Sequence, residues 1–400
     1  GGGGGNGNTP QMFYSRRIGL NAGQVIPIDA GARLTGKVGT TGIGILNIEA
    51  GDEKVSATPA TNFTVVRVKQ DILRRSSIGA LFTGRSVAQT GTGSNQLYGA
   101  DGVFAFYQNL VVNTYWARTA SDGRTSEDTS YRAQLDYAGD RYGLQVEQLG
   151  IGRNFNPEMG FVRRNDIQKS FALARFSPRT TRFASVRKFF VQGSFQHLEN
   201  GAGRKELESV DAEAAIEYQN SDRLALSYNR TYEYIPVPFR IAPTATVPVG
   251  GYDYNSVKLT FNIGQQRPFN GIASVEYGSL YGGTKTAVGF SRGRMRLATK
   301  LSVEPTITLN HVELPQGTFN TNLIGSRATF TPTALMFVSA LVQYNSTARS
   351  LAANVRFRWE YIPGSELFVV YNEQRDTRGL GFPDLTNRAF IVKVNRLIRF

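Results

Sequence analysis

Residues 355–361 read VRFRWEY, and every second side chain in this stretch is apolar. Four apolar or aromatic residues alternate with three charged ones: Val355, Phe357, Trp359 and Tyr361 with Arg356, Arg358 and Glu360. Successive side chains of a β-strand point to opposite faces of a sheet. A period of two therefore predicts a strand with one apolar face and one polar face.

The same period recurs along the chain. Two further examples are Val257, Leu259, Phe261 and Ile263 alternating with Lys258, Thr260 and Asn262, and Leu301, Val303, Ile307 and Leu309 alternating with Ser302, Glu304, Thr306 and Thr308. These runs extend over roughly 8–14 residues, whereas the strands of soluble proteins typically have about 5–6. Strands that cross a membrane need about 9–11 residues. The lengths therefore favour membrane-spanning strands over a soluble sandwich.

Composition excludes several classes of protein. Hydrophobic residues make up 40% of the chain, yet no stretch approaches the roughly 18 consecutive apolar residues of a membrane-spanning helix. There is no cysteine, which excludes disulfides, thiol nucleophiles and thiolate metal sites. The net charge is +14, but the basic residues are dispersed singly, so we expect no nucleic-acid partner. We expect no cofactor.

Turn and loop signals supply a second test of the barrel. Ten short links are predicted near residues 39–41, 72–76, 107–110, 139–141, 177–183, 220–223, 265–269, 296–298, 332–334 and 363–366. Longer polar segments lie between them at 50–61, 87–95, 120–128, 150–157, 198–205, 237–250, 313–318 and 377–387. Outer-membrane barrels have short periplasmic turns and longer extracellular loops. The sequence therefore predicts an all-β fold, a single antiparallel transmembrane β-barrel.

The number of short links predicts about 22 strands, within a range of about 18–22, and an even count with both strand ends on the periplasmic side. Residues 1–11 are predicted to be a flexible glycine-rich segment and residues 12–400 the barrel. The opening GGGGGNGNTP resembles neither a signal peptide nor a mature start. Because export requires a signal sequence, we expect this to be the C-terminal part of a longer protein.

The last strand is predicted to run from Phe390 to Phe400 and to close the barrel against a strand near Phe13. Its outward residues are Phe390, Val392, Val394, Ile398 and Phe400. An amphipathic strand that ends in phenylalanine resembles the assembly signal of outer-membrane barrels. We therefore expect the barrel-insertion machinery to bind it, and we expect the protein in the outer membrane of a Gram-negative bacterium.

The polar strand faces are predicted to line the lumen. The residues assigned to this role are Arg356, Arg358, Glu360, Lys258, Asn262, Glu304, Arg292, Arg294 and Arg296. The last three alternate onto one face, and a basic lumen would favour anionic solutes. Partial lining by glutamates tempers that hypothesis: Glu213, Glu217, Glu304 and Glu360. A barrel of this size needs a plug or leaves a channel. A missing N-terminal region or inward-folded loops are the candidate plugs.

The two histidines offer an alternative. His197 and His311 are predicted at strand ends beside external loops, where Asp211, Glu208 and Glu313 could supply carboxylates. This arrangement would suit a hydrolase, of protease or esterase type, at the extracellular rim of the barrel. No motif links either histidine to a serine nucleophile or to a second metal ligand. We therefore assign no catalytic or metal-binding residue and predict a protein that is not an enzyme.

Several motifs resemble one family. They are FYSRRIG (13–19), ARLTGKVG (32–39), RRSSIGALFTGR (74–85), YGADG (98–102), NPEMGFVRR (156–164), PGSELFVVYNEQRD (363–376) and FIVKVNRLIRF (390–400). Together they resemble the C-terminal region called domain of unknown function 5916, found in outer-membrane proteins of Gram-negative bacteria, notably Bacteroidota. The resemblance implies a barrel preceded by a carbohydrate-binding-like sandwich related to binding-module family nine, which this sequence lacks. It implies no catalytic residues.

These observations predict a solute channel or transporter, or a barrel that gates and anchors the missing periplasmic carbohydrate-binding domain. The alternatives are the rim hydrolase and a purely structural anchor with a filled lumen. The expected partners are outer-membrane lipid and lipopolysaccharide, the insertion machinery, the missing domain, and carbohydrate or anionic solutes.

Overall fold

The structure, a computed structural model, describes residues 6–21, 23–123, 126–379 and 381–398. Regular structure in these residues is almost entirely β-strand. Asn6–Asn8 and Ser15–Arg17 each form a single 3₁₀ turn. None of the described helices has the length and apolarity needed to cross a membrane.

The described residues form 25 strands. In chain order they are β1 (Leu20–Asn21), β2 (Gln24–Val25), β3 (Ile28–Val38), β4 (Thr41–Ala50), β5 (Thr61–Ile72), β6 (Ser76–Arg85), β7 (Asn95–Phe106), β8 (Leu110–Ser121), β9 (Thr129–Ala138), β10 (Tyr142–Ile151), β11 (Ile167–Phe176), β12 (Val186–Glu199), β13 (Lys205–Tyr218), β14 (Arg223–Ile235), β15 (Phe239–Ala242), β16 (Ala245–Val247), β17 (Gly250–Ile263), β18 (Phe269–Leu280), β19 (Gly283–Ala298), β20 (Leu301–Leu314), β21 (Gly317–Thr333), β22 (Met336–Asn345), β23 (Ser350–Ile362), β24 (Ser365–Asp376) and β25 (Asp384–Asn395).

Twenty-one of these strands belong to one sheet with the strand order of a closed β-barrel. Neighbours in the sheet are neighbours along the chain, with two exceptions: β25 stands next to β3, and the small hairpin β15–β16 is inserted between β14 and β17. The predicted fold, an all-β antiparallel barrel, is confirmed. The chain divides into two compact units, Gly1–Phe176 with Gly193–Val210 (unit 1) and Ser177–Gln192 with Asp211–Phe400 (unit 2).

The 21 strands of the sheet fall within the predicted range of 18–22, but the prediction of an even count was wrong. In the described residues, no strand of the sheet lies near Phe13. The segment between Phe13 and β3 instead forms a 3₁₀ turn at Ser15–Arg17 and the two-residue strands β1 and β2. The sheet begins instead at Ile28, which pairs with Ala50 beside the long connection 51–60. The first strand therefore starts at a long connection, whereas both strand ends had been expected at the short turns.

The last strand begins and ends earlier in the chain than predicted. It begins at Asp384 and ends at Asn395, which pairs with Glu366 beside the turn at 363–364. Ile398 follows the strand in irregular conformation, so its predicted place in the strand was wrong. Phe400, the predicted terminal residue of the insertion signal, lies outside the described residues.

The predicted alternation of short and long connections fails between residues 281 and 349. Tyr281 and Gly282 form a two-residue turn, and the predicted longer segment 313–318 is reduced to the turn at 315–316. Tyr281 has φ +46° and Gly282 has φ +81°. Two central residues with positive φ match a type I′ hairpin turn, whose twist suits flanking strands. The predicted links at 296–298 and 332–334 lie largely within β19 and β21.

From Ser256 to Phe261 of β17, the apolar side chains are more exposed than the polar side chains. Val257 and Leu259 are 48% and 49% exposed, while Lys258 and Thr260 between them are half-buried. In a soluble sheet with one covered face, the apolar residues are the buried ones. The pattern here is inverted, as in a barrel whose outer face is apolar.

The inversion extends across five neighbouring strands. Five aliphatic residues are in direct register on β14, β17, β18, β19 and β20, and each is between 38% and 52% exposed: Leu226, Leu259, Val275, Val288 and Leu309. We call this row the apolar band and the opposite face of the same strands the polar face.

Candidate functional site

A cavity of about 660 Å³ lies on the polar face of strands in unit 2. Its charged lining residues are four arginines and one glutamate: Arg292, Arg294, Arg296, Arg327 and Glu304. We call this the arginine cavity. All five residues lie within β19, β20 or β21 and not in a loop.

The strand register places the cavity on the polar face. Glu304 shares a face of β20 with Asn310, which pairs with Ala287. Ala287 pairs with Glu276, and Glu276 pairs with Lys258. Because side chains alternate along each strand, Glu304 and Lys258 lie on the face opposite the apolar band.

A β-bulge in β19 shapes the cavity. Phe290 pairs with Ile307 and Met295 pairs with Val303, so four residues of β19 lie between these pairs where β20 has three. The pairing of β19 with its other neighbour, β18, also leaves one extra residue in β19. Within the bulge, Arg292 has φ +50°, a left-handed conformation that L side chains rarely adopt.

The bulge decides which face the later arginines occupy. One inserted residue reverses the face of every residue that follows it. Arg294 and Arg296 therefore point to the polar face, while Met295 joins Phe290 on the apolar face. Alternation along the sequence predicted that Arg292, Arg294 and Arg296 share one face. The structure brings all three to one cavity, and the bulge is what directs the last two there.

The arginines of the cavity have no partner side chain. In the part of the chain that the structure describes, none of the four forms a side-chain hydrogen bond or ion pair, and neither does Glu304. Two other basic groups on the polar face of unit 2 are paired. Lys258 and Lys285 lie 3.6 Å and 2.8 Å from Glu276. The cavity thus concentrates four positive charges against one negative charge.

The other predicted lumen residues have different surroundings. Arg358 forms an ion pair with Glu366 and lies 3.7 Å from Glu360. Arg356 is exposed, lies outside the arginine cavity and forms no described side-chain contact. Asn262 is on the polar face of β17. The role of these residues in a lumen stays a prediction.

In unit 1, a loop packs against the ends of β7 and β10. Residues 152–166, between β10 and β11, fold back over the ends of the strands, and we call them the inner loop. Phe155 of this loop is 2% exposed and packs in a cluster with Leu97 and Leu149. Met159 packs in a second cluster with Ile18. Ile18 belongs to residues 6–21, which we call the N-terminal segment.

The inner loop is bonded to the N-terminal segment. Gln11 and Phe161 exchange two backbone hydrogen bonds of 2.9 Å and 2.8 Å, and Tyr14 donates to the carbonyl oxygen of Met159 at 2.8 Å. A Cβ added at Gly160 would lie 2.2 Å from the carbonyl oxygen of Gln11. Only glycine permits this close approach. Gln11, which the sequence analysis placed in a flexible segment, therefore takes part in an ordered contact.

A buried glutamate anchors the inner loop to the strands. The Glu158 carboxylate accepts a hydrogen bond from the backbone amide of Gln89 at 2.7 Å. The guanidinium of Arg85 lies 3.8 Å away, and both side chains are more than nine-tenths buried. The backbone amide of Glu158 donates to the side chain of Asn95 at 3.2 Å.

A second buried charge network lies on the strands of unit 1. Glu147, whose side chain is fully buried, lies 2.9 Å from the ammonium of Lys169 and 2.5 Å from the guanidinium of Arg132. Lys169 also lies over the ring of Phe171, 5.6 Å from its centroid. Each of these buried charges has an oppositely charged partner, as burial requires.

His197 lies near the end of β12. Its ring contacts Glu208 at 3.2 Å and Glu199 at 3.5 Å. Asp211, the other candidate carboxylate, instead accepts a hydrogen bond from Asn229 at 2.7 Å.

His311 lies near the end of β20 and contacts Asn320 at 2.7 Å and Glu313 at 3.1 Å. No described serine or threonine hydroxyl bonds to either histidine ring. The described residues contain no group of three or more metal-ligating side chains. The geometry therefore supplies a histidine–carboxylate pair twice, without a nucleophile in contact.

The packing of the inner loop and the place of Arg327 in the cavity were not predicted from the sequence. The segment 150–157 was expected to be an external loop, and NPEMGFVRR was noted only as a family motif. The signal available was its apolar and acidic residues, Phe155, Glu158 and Met159, in a connection that would otherwise be polar. Arg327 had no signal, since its place in the cavity depends on the pairing of β21 with β20.

Comparison with known proteins does not identify a family. No family model matches the chain, and no curated protein matches it. Among solved structures, the copper transporter OprC is similar over 92% of this chain and 71% of its own, with 11% identity and a TM-score of 0.35. A likeness this low carries no argument. The resemblance to domain of unknown function 5916 stays a prediction.

Proposed function

We propose that the chain is an outer-membrane β-barrel that passes solute along the polar faces of its strands. The observation that supports this is the apolar band. Five aliphatic side chains in register across adjacent strands are each 38–52% exposed. A continuous exposed apolar surface of this kind indicates an apolar environment. Lipid hydrocarbon supplies it, and closed barrels are the β-structures that satisfy their backbone groups there.

The polar faces support solute passage over a purely structural role. In unit 2 the polar face carries a cavity of about 660 Å³ lined by charged and polar side chains. In unit 1 the inner loop packs over strand ends, and its contacts with the N-terminal segment make it the candidate gate. Gating by a periplasmic carbohydrate-binding domain is the finer form of the proposal and rests on the family resemblance alone.

Conductance in planar bilayers tests the proposal. We compare the full chain with a variant in which residues 153–165 are replaced by a short Gly–Ser linker. The matched control replaces the exposed turn 54–57 with the same linker. We expect the inner-loop variant to conduct more than the full chain and the control to behave like the full chain. Absence of conductance in every variant, with the barrel folded, would support the filled structural anchor instead.

The rim hydrolase has less support. His197 and His311 each contact a glutamate, but no described hydroxyl bonds to either ring. Loss of ester, peptide or glycan hydrolysis in a His197→Ala or His311→Ala variant would favour it over a channel.

A further inference from the structure

We propose that the arginine cavity binds a small hydroxylated solute that carries a phosphate or carboxylate group. The proposal deepens the proposed function and rests on it, since the solute is to reach the cavity along the polar face. The cavity is the place where the strands of unit 2 bring together Arg292, Arg294, Arg296 and Arg327.

The unpaired state of the arginines is the first argument. Some other arginines of unit 2 have a carboxylate nearby: Arg223 lies 2.5 Å from Glu213 and Arg267 lies 2.6 Å from Asp222. None of the four cavity arginines has such a partner in the described residues. Like charges held close together repel one another, and a bound anion removes that repulsion.

The chemistry of the side chain is the second argument. A guanidinium is planar and presents its N–H donors as a fork that matches phosphate and carboxylate oxygens, so it binds them with two parallel hydrogen bonds. Four such groups around one space select an oxyanion over a neutral solute. Glu304, Thr306 and Gln343 also line the cavity and offer hydrogen-bond acceptors to hydroxyl groups of the same solute.

The size of the cavity is the third argument. A volume of about 660 Å³ falls within the roughly 300–1,000 Å³ typical of small-molecule sites. A single inorganic ion would leave most of that space unfilled. A phosphorylated or acidic monosaccharide matches the volume, the positive charge and the additional polar lining together.

The bulge is the fourth argument. It directs arginines into the cavity although it requires an unfavourable backbone conformation. Arg292 adopts φ +50°, outside the regions that L side chains prefer. Without the extra residue, Arg294 and Arg296 would lie on the face of the apolar band. Bulges frequently re-aim side chains next to functional sites.

A lipid headgroup offers the same phosphate chemistry from another source. The arginine cavity, however, lies on the face opposite the apolar band, away from the surface that we assign to lipid. This placement favours a free solute, and competition with a phospholipid separates the two sources.

Binding to the purified full chain in detergent tests the proposal. Isothermal titration uses glucose 6-phosphate, glucuronate and glucose as probes, the last being the neutral control. We expect both anions to bind and glucose to bind at least about tenfold more weakly, because a hydrogen bond to a charged group contributes enough for about a factor of ten. Equal binding of glucose would overturn the proposal.

Two variants locate the site. The double variant Arg294→Gln/Arg296→Gln should weaken binding of glucose 6-phosphate by about a factor of ten or more. Arg356→Gln, which removes an exposed, unpartnered arginine of the polar face outside the cavity, should change it by less than about a factor of two to three. Circular dichroism confirms that each variant is folded. Equal effects of the two variants, or none from the double variant, would contradict the proposal.

Competition identifies the source of the anion. Micelles doped with phosphatidylglycerol should leave the binding of glucose 6-phosphate unchanged, and displacement by the lipid would overturn the assignment to a free solute. Because binding is measured in detergent, it can fail while the bilayer experiment shows conductance. That combination would reject the anion site and leave the channel intact.

Discussion

The buried charges of unit 1 are paired, whereas the arginine cavity of unit 2 gathers charges without a described partner. In unit 1, Glu147 is fully buried and contacts both Lys169 and Arg132, and Glu158 is buried beside Arg85. In unit 2, the arginines of the cavity are exposed and have no described partner. Buried charges must be paired to be tolerated, whereas unpaired charges on an open polar face remain available to a ligand. The difference separates residues that hold the fold from residues that we assign to solute.

The largest effect is expected from Glu147→Gln. This change leaves Lys169 and Arg132 buried without their carboxylate, which should lower the free energy of unfolding by about 3–5 kcal/mol. Urea unfolding in detergent micelles, followed by circular dichroism, measures it. The matched control is Glu304→Gln in unit 2, which breaks no described pair and should change the free energy by less than about 0.5 kcal/mol. Equal effects would remove the contrast between the units.

A smaller and local effect is expected from Glu158→Gln. The carboxylate would no longer balance the charge of Arg85, and the inner loop should become easier to open by about 1–3 kcal/mol. Limited proteolysis should therefore cut residues 152–166 faster in the variant. Glu53→Gln, in the exposed connection 51–60, is the control and should leave the cleavage rate unchanged. A global loss of stability without faster cleavage would contradict the anchoring role.

The smallest effect is expected from Arg292→Gly, and its sign is opposite. Glycine adopts positive φ without the steric penalty that other residues meet, so the free energy of unfolding should rise by up to about 1 kcal/mol. Binding of glucose 6-phosphate should fall in the same variant. The control is Arg296→Gly, which lies at a position without positive φ and should lose about 0.5–1 kcal/mol. Destabilisation by Arg292→Gly would mean that the bulge is not strained.

The regular part of the fold was predictable from the sequence. The period of two in 257–263 and 355–361 predicted strands with one apolar and one polar face, and β17 and β23 cover those stretches. Alternation is a local property, so it can be read without knowing which strands pair. The all-β barrel was predicted for the same reason.

The irregular part was not predictable. The position of the bulge at Arg292 and Gly293 is defined by how β19 pairs with β18 and with β20. The sequence of β19 alone does not indicate where the extra residue lies. The inner loop folds back because Phe155 and Met159 find apolar partners far away in the sequence. The absence of a strand near Phe13 also follows from such contacts, since Met159 and Phe161 bond to the segment that contains it.

Accessibility along β17 tests the central claim most directly, that the apolar band faces lipid. The natural chain has no cysteine, so single variants at Val257, Lys258, Leu259, Thr260 and Phe261 can each carry one spin label in a lipid bilayer. Collision with oxygen, which is concentrated in lipid, should dominate at positions 257, 259 and 261. Collision with a water-soluble nickel complex should dominate at 258 and 260. Equal access of the nickel complex to all five positions would contradict the account.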